Sequence, residues 1–539
     1  MFDFFSHRST SAQQAVFFVP QADPFENPLV ETDPEQLRQW ATALPFANQQ
    51  QLAESVITSL GRLNRFPGQV KKREALMEIY STPSIRLSHG LAQRKGQAPI
   101  SLIRRVMTEM AYGYCHIANE CIGNKPNRKN LERLNRAIYY ALKYFLLEFL
   151  LACEDFDCRS ITAYREISRL RTYAEEQKLH LNQIDDPDQP DPEQATIEHQ
   201  FNRFMLLTLL DPCHLQEGEP RLCFDYLNTL AGEVRIVPPI ANTEPTGHYV
   251  IDRLGEVPPY LYDPDCRDNL AQPRFTLFDL NPVSQRLHHQ LRRMERAEER
   301  KPDQIAGLTT QEATNLLARM LRTWHIRLKR DSERHNTSGQ VMLWVGIKHV
   351  HSYLMGEQIT PEHQEQEQEI TMSQPAGIHN VGDNDTTSQL TGQRSNQSRS
   401  GVALRIAKQS TKLPLVGEVV LISNHRKREG NDWKIGIVKR ALNCRNDQLE
   451  IGLQFILGKI EPIILRSMNQ QQSEEETVDR PGIFIDQGHT HHSSLIVPKH
   501  FFVIGQEYRV EEMIPAPSVI PLQLLETTTR FERYRIKGV

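Results

Sequence analysis

Two short groups of residues in this 539-residue chain carry side chains able to grip an anion or the edge of a purine. The first is Arg330-x-x-x-Arg334 in LKRDSERH, and the second is Asn396-x-Ser398-x-x-Gly401 in NQSRSG. An arginine fork donates bidentately to phosphate oxygens or to the O6/N7 edge of guanine, and its plane also stacks on a base. Asn396 and Ser398 add short polar groups, and Gly401 lets the backbone turn or approach a ligand where a Cβ would obstruct it. The arginine spacing alone says little. It recurs at Arg165/Arg169, Arg292/Arg296 and Arg296/Arg300 inside helical segments, where it reads as a solvated helix face. NQSRSG is the one match to its pattern in the chain, and it opens a strand-rich region.

Other groupings carry less. His489, His491 and His492 lie without a Cys or carboxylate at convincing ligand spacing, so no metal site is expected. His288 and His289 fall in a charged helix, and EHQEQEQE from Glu362 to Glu369 reads as a solvated run rather than a catalytic cluster. No phosphate-binding loop, zinc-protease or serine-hydrolase signature is present, so no enzyme activity is expected.

The elements that must position these residues follow from composition and periodicity. Charged residues are 24% of the chain and hydrophobic ones 39%, a balance that folds into packed domains, and the length calls for two or three of them. A net charge of −4 supplies no global field for duplex nucleic acid, so an anionic ligand must be held locally. The start of the chain does not read as a secretory signal. The apolar run from Tyr139 to Leu151 is broken by Lys143 and Glu148 and is too short to span a bilayer, which needs about 20 residues. Eight cysteines stand singly, which reads as reduced thiols in a cytoplasmic protein.

Residues 1–230 show helical spacing, as in Ile138, Leu142, Phe145 and Phe149. Residues 231–324 form a proline-rich connection followed by charged helices, one of which should start at a capping box over Thr309 to Glu312 and end near Trp324. From 325 to 468, QVMLWVG, VALRIA, GEVVLI, KIGIVKRAL, LEIGLQFI and EPIILR suggest a small barrel, interrupted by a flexible polar insertion over about 356–395. Residues 469–539 form a C-terminal β-rich segment. The expected class is therefore α+β and multidomain.

The paired motifs, their order and the strands around them resemble the PilZ domain, whose nucleotide site combines a basic RxxxR segment with a D/NxSxxG motif in an early barrel strand. WKIGIVKRAL and LEIGLQFIL look like its later strands, and the resemblance covers about 325–468. It implies a receptor for cyclic di-GMP, with Arg330, Arg334, Asn396, Ser398 and Gly401 as ligand-binding residues and no other cofactor. Two departures stand out: the insertion separates motifs that normally lie close together, and Lys329 replaces the first arginine of the RRxxxR form. The helical half, through LLTLLDPCHLQEGE, is similar to the amino-terminal regions of larger PilZ-containing proteins and would offer a surface to a protein partner. Motility or type IV pilus control is the output such receptors suggest. The alternative is an adaptor whose barrel has lost ligand binding, and convergence of Arg330, Arg334, Asn396 and Ser398 on one barrel face separates the two.

Overall fold

The computed structural model describes residues 16–538 apart from 22–29, 67–69, 71, 90–98, 159–160, 190, 239–244, 266–272, 297–304, 306, 326–333, 357–388, 409–412, 426–431, 445–446, 468–479, 487, 489–492 and 512–517. The chain divides into two compact units, the first of residues 1–212 and 218–327, the second of residues 213–217 and 328–539.

The first unit is mainly helical. Its helices are α1 (Pro34–Thr42), α2 (Gln49–Arg65), α3 (Arg73–His89), α4 (Ile100–Gly123), α5 (Arg128–Glu154), α6 (Ile161–Glu176), α7 (Ile197–Leu209), α8 (Glu219–Leu227), α9 (Asn281–Glu295) and α10 (Thr310–His325). The run Tyr139–Leu151 lies in α5 and is buried, and its two charges are neutralised where they stand. Arg104 of α4 pairs with Glu148 at 2.9 Å, and Lys143 pairs with Asp186 at 2.7 Å. Partners of this kind let a charge sit in an apolar seam that would otherwise exclude it. No helix among the described residues is long and apolar enough to cross a membrane. The capping box at α10 forms reciprocally: Glu312 N–H donates to Thr309 Oγ1 at 3.3 Å, and Thr309 N–H donates to Glu312 Oε2 at 2.9 Å.

Between α8 and α9 the chain makes a small antiparallel sheet that sequence periodicity did not reveal. Its strands β1 (Arg235–Val237), β2 (His248–Asp252), β3 (Tyr260–Leu261) and β4 (Phe275–Asp279) lie in the order β1-β4-β2-β3 over a core of Val250, Tyr262 and Leu277.

The second unit carries β5 (His335–Asn336), β6 (Gln340–Val345), α11 (Ile347–Met355), β7 (Gln389–Gln397), β8 (Gly401–Ala407), β9 (Val419–Ser423), β10 (Trp433–Cys444), β11 (Gln448–Phe455), β12 (Lys459–Ser467), β13 (Arg480–Asp486), β14 (Ser494–Pro498), β15 (Tyr508–Glu511), β16 (Ser518–Thr527) and β17 (Phe531–Gly538). Its first sheet runs β5-β7-β6-β9-β10-β11-β8, and a further β7–β8 pairing closes six of these strands on themselves. Alternate residues such as Leu343, Leu404, Val420, Ile422 and Ile451 are buried, as a closed sheet with one inward face requires. The remaining strands form a second closed barrel, β12-β13-β14-β17-β16-β15. Helix α11 covers the joint, where Val350 and Leu354 pack with Leu421 and Ile437 of the first barrel and with Ile483 and Phe531 of the second. The architecture is thus a helical region followed by two small barrels, α+β and multidomain.

Three expectations need correction. The strand containing EPIILR, β12, pairs with β13 and β15 and so belongs to the second barrel, not to the first; a boundary at 468 cuts that barrel after its first strand. The polar insertion expected to reach 395 gives way at Gln389 to β7, whose pairing with β6 recruits residues too polar to read as a strand. The cysteines are not all reduced thiols: Cys158 and Cys213 are disulfide-bonded, while Cys115, Cys121, Cys153, Cys223 and Cys444 are free.

The short segment 213–217 of the second unit is held there by polar contacts. His214 Nδ1–H donates to the Lys439 carbonyl at 2.7 Å, Thr529 N–H donates to Gln216 Oε1 at 2.6 Å, and Arg530 pairs with Glu217 at 3.1 Å.

Candidate functional site

NQSRSG is the turn of a hairpin. Asn396 and Gln397 end β7, Ser398 to Ser400 make the turn, and Gly401 opens β8. Ser398 N–H donates to the Gly401 carbonyl at 2.8 Å, which closes the turn, and Ser398 Oγ lies 3.4 Å from the same oxygen. A register shift between Arg394 and Asn396 places a bulge at Ser395, the kind of irregularity that re-aims side chains at the rim of a barrel.

The basic segment reaches this turn through β5, a strand of two residues. His335 pairs with Gln397 and Asn336 with Asn396. One step further along that register sets Arg334, which is exposed, level with Ser398. The strand therefore brings Arg334 beside Asn396 and Ser398, although β6, α11 and the long polar stretch lie between them in sequence. Arg330 lies outside the described residues, as do His489, His491, His492 and Glu362 to Glu369. His288 and His289 are exposed on α9. Among the described residues no group of His, Cys, Asp and Glu is arranged to hold a metal ion.

Gly401 also meets a structural demand. A Cβ there would lie 2.3 Å from the Leu453 carbonyl oxygen of β11, so the neighbouring strand by itself requires a glycine. Gly436 of β10 meets the same strand from its other side, where a Cβ would lie 2.7 Å from the Gln454 carbonyl oxygen.

Polar atoms around the turn lack partners. Thr337 Oγ1, Arg394 Nε and Asn396 Oδ1 are buried and unbonded among the described residues, and all three lie on β7 or immediately after β5. Each such atom costs about 1–3 kcal/mol, and a native fold retains few of them without a reason. Sequence reasoning identified Asn396 but not Thr337 or Arg394, because the short strand that gathers them carries no apolar alternation. From Gln389 to Ala407 the sequence contains Arg394, Arg399 and Arg405 and neither Asp nor Glu. Arg405 is engaged by Glu450 of β11 at 3.3 Å, whereas Arg334 and Arg399 form no ion pair among the described residues. The hairpin is locally cationic on a chain of net charge −4, with Arg334 and Arg399 exposed on it and the unpartnered Asn396 Oδ1 buried beneath its surface. Such a surface suits an anionic ligand with purine edges.

Residues 35–240 match the family model described as the N-terminal domain of the cyclic-di-GMP receptor FimW. The match covers less than half of the chain, lies over the helical region and does not include the β5–β7–β8 hairpin. No curated protein matches the chain.

Proposed function

We propose that this chain is a cyclic di-GMP receptor that binds its nucleotide at the β5–β7–β8 hairpin of a PilZ-like barrel. Two independent lines support the reading. The family match over 35–240 points to a receptor for this nucleotide, and the hairpin, outside that match, gathers Arg334, Asn396 and Ser398 on one rim. The β5–β7 pairing is the observation that carries it, since an RxxxR segment with no strand beside NQSRSG would be a surface charge and nothing more.

In this reading Arg330 and Arg334 donate to phosphate or guanine acceptors, Asn396 accepts from the base once binding uncovers its unpartnered Oδ1, and Ser398 shapes the turn. Gly401 serves by admitting β11 to close approach. The protein acts by binding rather than by catalysis, without cofactor or metal, in the cytoplasm. The helical region presents the surface for a protein partner, and pilus or motility control is the output class. Ligand binding then shifts a population between conformations that a partner distinguishes.

Photocrosslinking of labelled cyclic di-GMP to the full chain, followed by peptide mapping, tests the placement. Label in peptides spanning Arg334 or Asn396 to Gly401 supports it. Label confined to 35–240 would move the nucleotide site to the helical region and leave the barrel without it.

A further inference from the structure

We propose that Arg394 is a further nucleotide-recognising arginine, one whose fork is held ready on β7 and engages a pair of acceptors on the ligand. The inference rests on the reading of the hairpin as the cyclic di-GMP site and extends it to a residue outside both sequence motifs.

Three observations converge on this residue. Gly392 faces the barrel interior, since a Cβ there would lie 3.0 Å from Leu343 Cδ1 and 3.5 Å from Ile406 Cγ1. Arg394 follows two residues later in the same phase of β7, just before the bulge that leads to Asn396, so it stands at the rim where the inward row of side chains ends. Its guanidinium is fixed on one side only: Nη2–H donates to Asn424 Oδ1 at 3.1 Å, and Nε–H is buried without an acceptor.

An arginine with one half of its fork satisfied and the other unpaired costs the free protein stability that a ligand acceptor would return. Thr337, on the continuation of β5, carries a second unpartnered atom, its Oγ1, and its N–H donates to the carbonyl of Ser395, the residue after Arg394; Asn396, paired with Ala403 where Arg394 is paired with Leu404, faces the other side of the sheet. The chemistry that satisfies a fork is a pair of acceptors in one plane, which cyclic di-GMP offers both at guanine O6/N7 and at each phosphodiester.

Calorimetric titration of the full chain with cyclic di-GMP tests the proposal, using Arg394→Ala, Arg394→Lys and Arg334→Ala, with melting temperatures recorded for each. Lysine keeps the charge and the stem but lacks the fork, so a fork-dependent contact is lost in both Arg394 variants. The expected result is at least a tenfold loss of affinity in Arg394→Lys at an unchanged melting temperature. An analogue with both purine N7 atoms replaced by carbon then separates the two acceptor sources. If Arg394 reads the base, wild type loses affinity for the analogue and Arg394→Lys loses no more. If Arg394 reads phosphate, both proteins lose the same factor. Wild-type affinity in Arg394→Lys, with binding abolished in Arg334→Ala, overturns the role of Arg394 and leaves the hairpin site standing. Absence of binding by wild type overturns both.

Discussion

Asn336 lies opposite Asn396 across the β5–β7 pair, and together with the neighbouring His335–Gln397 pair it joins two sequence motifs that a long polar stretch separates. The pairing also leaves Asn396 Oδ1 buried without a donor. Replacing Asn396 by Leu removes the unpaired acceptor while keeping the shape of the side chain. The account predicts a melting temperature equal to or above that of wild type, together with at least a tenfold loss of cyclic di-GMP affinity. Thermal unfolding and equilibrium binding on the same preparation check it, and a destabilised variant of normal affinity would show Asn396 to be structural.

Gly401→Ala should behave in the opposite way. Its Cβ would press on the Leu453 carbonyl, so β8 must draw away from β11, at a cost on the order of 1–3 kcal/mol. Denaturant titration should show the loss without ligand present, and affinity in the folded fraction should stay within about threefold of wild type.

Phe531, on β17, packs beside Val350 and Leu354 of α11 in the cluster that also draws on the first barrel. Phe531→Ala opens a cavity there and should destabilise the second unit by about 3–5 kcal/mol. If the two barrels unfold as one body, both should lose protection from hydrogen exchange together in this variant. Loss confined to β12–β17 would show that the cluster does not couple them.

His116 gives the helical unit a pH dependence. Burial, with the Arg73 guanidinium nearby, lowers its pKa from 6.5 to about 4, and its Nε2–H donates to the Asn64 carbonyl at 2.9 Å. The folded chain therefore keeps this ring neutral, while the unfolded chain protonates it below about pH 6.5. Stability from this group is present above pH 6.5 and is lost as pH falls from there toward 4, by on the order of 3 kcal/mol. His116→Gln should flatten that part of the stability profile relative to wild type, and equal slopes in the two proteins would remove His116 as its source.

Much of this was legible in the sequence. The runs that became β6 and β8 to β11 are short alternating or continuously apolar stretches between glycines and polar turns, and the capping box at Thr309 and Glu312 fixed the start of α10. Other features depend on distant parts of the chain. Nothing about His335 and Asn336 marks a strand until β7 lies beside them. EPIILR resembles the strands before it, and only its pairing with β13 and β15 assigns it to a second barrel. The role of Gly401 is set by a carbonyl more than fifty residues further on. The helical region declared its helices but not the four-stranded sheet after α8, whose strands are short and framed by prolines.

The central claim is that one hairpin rim, assembled by β5 and β7, binds cyclic di-GMP. Calorimetric titration of the purified full chain beside the double variant Arg334→Ala/Asn396→Ala tests it most directly. The account predicts saturable binding by wild type, micromolar or tighter, and a loss of at least a hundredfold in a double variant that melts as wild type does. Equal affinity in the two proteins would contradict it, and so would a wild-type protein that binds no cyclic di-GMP.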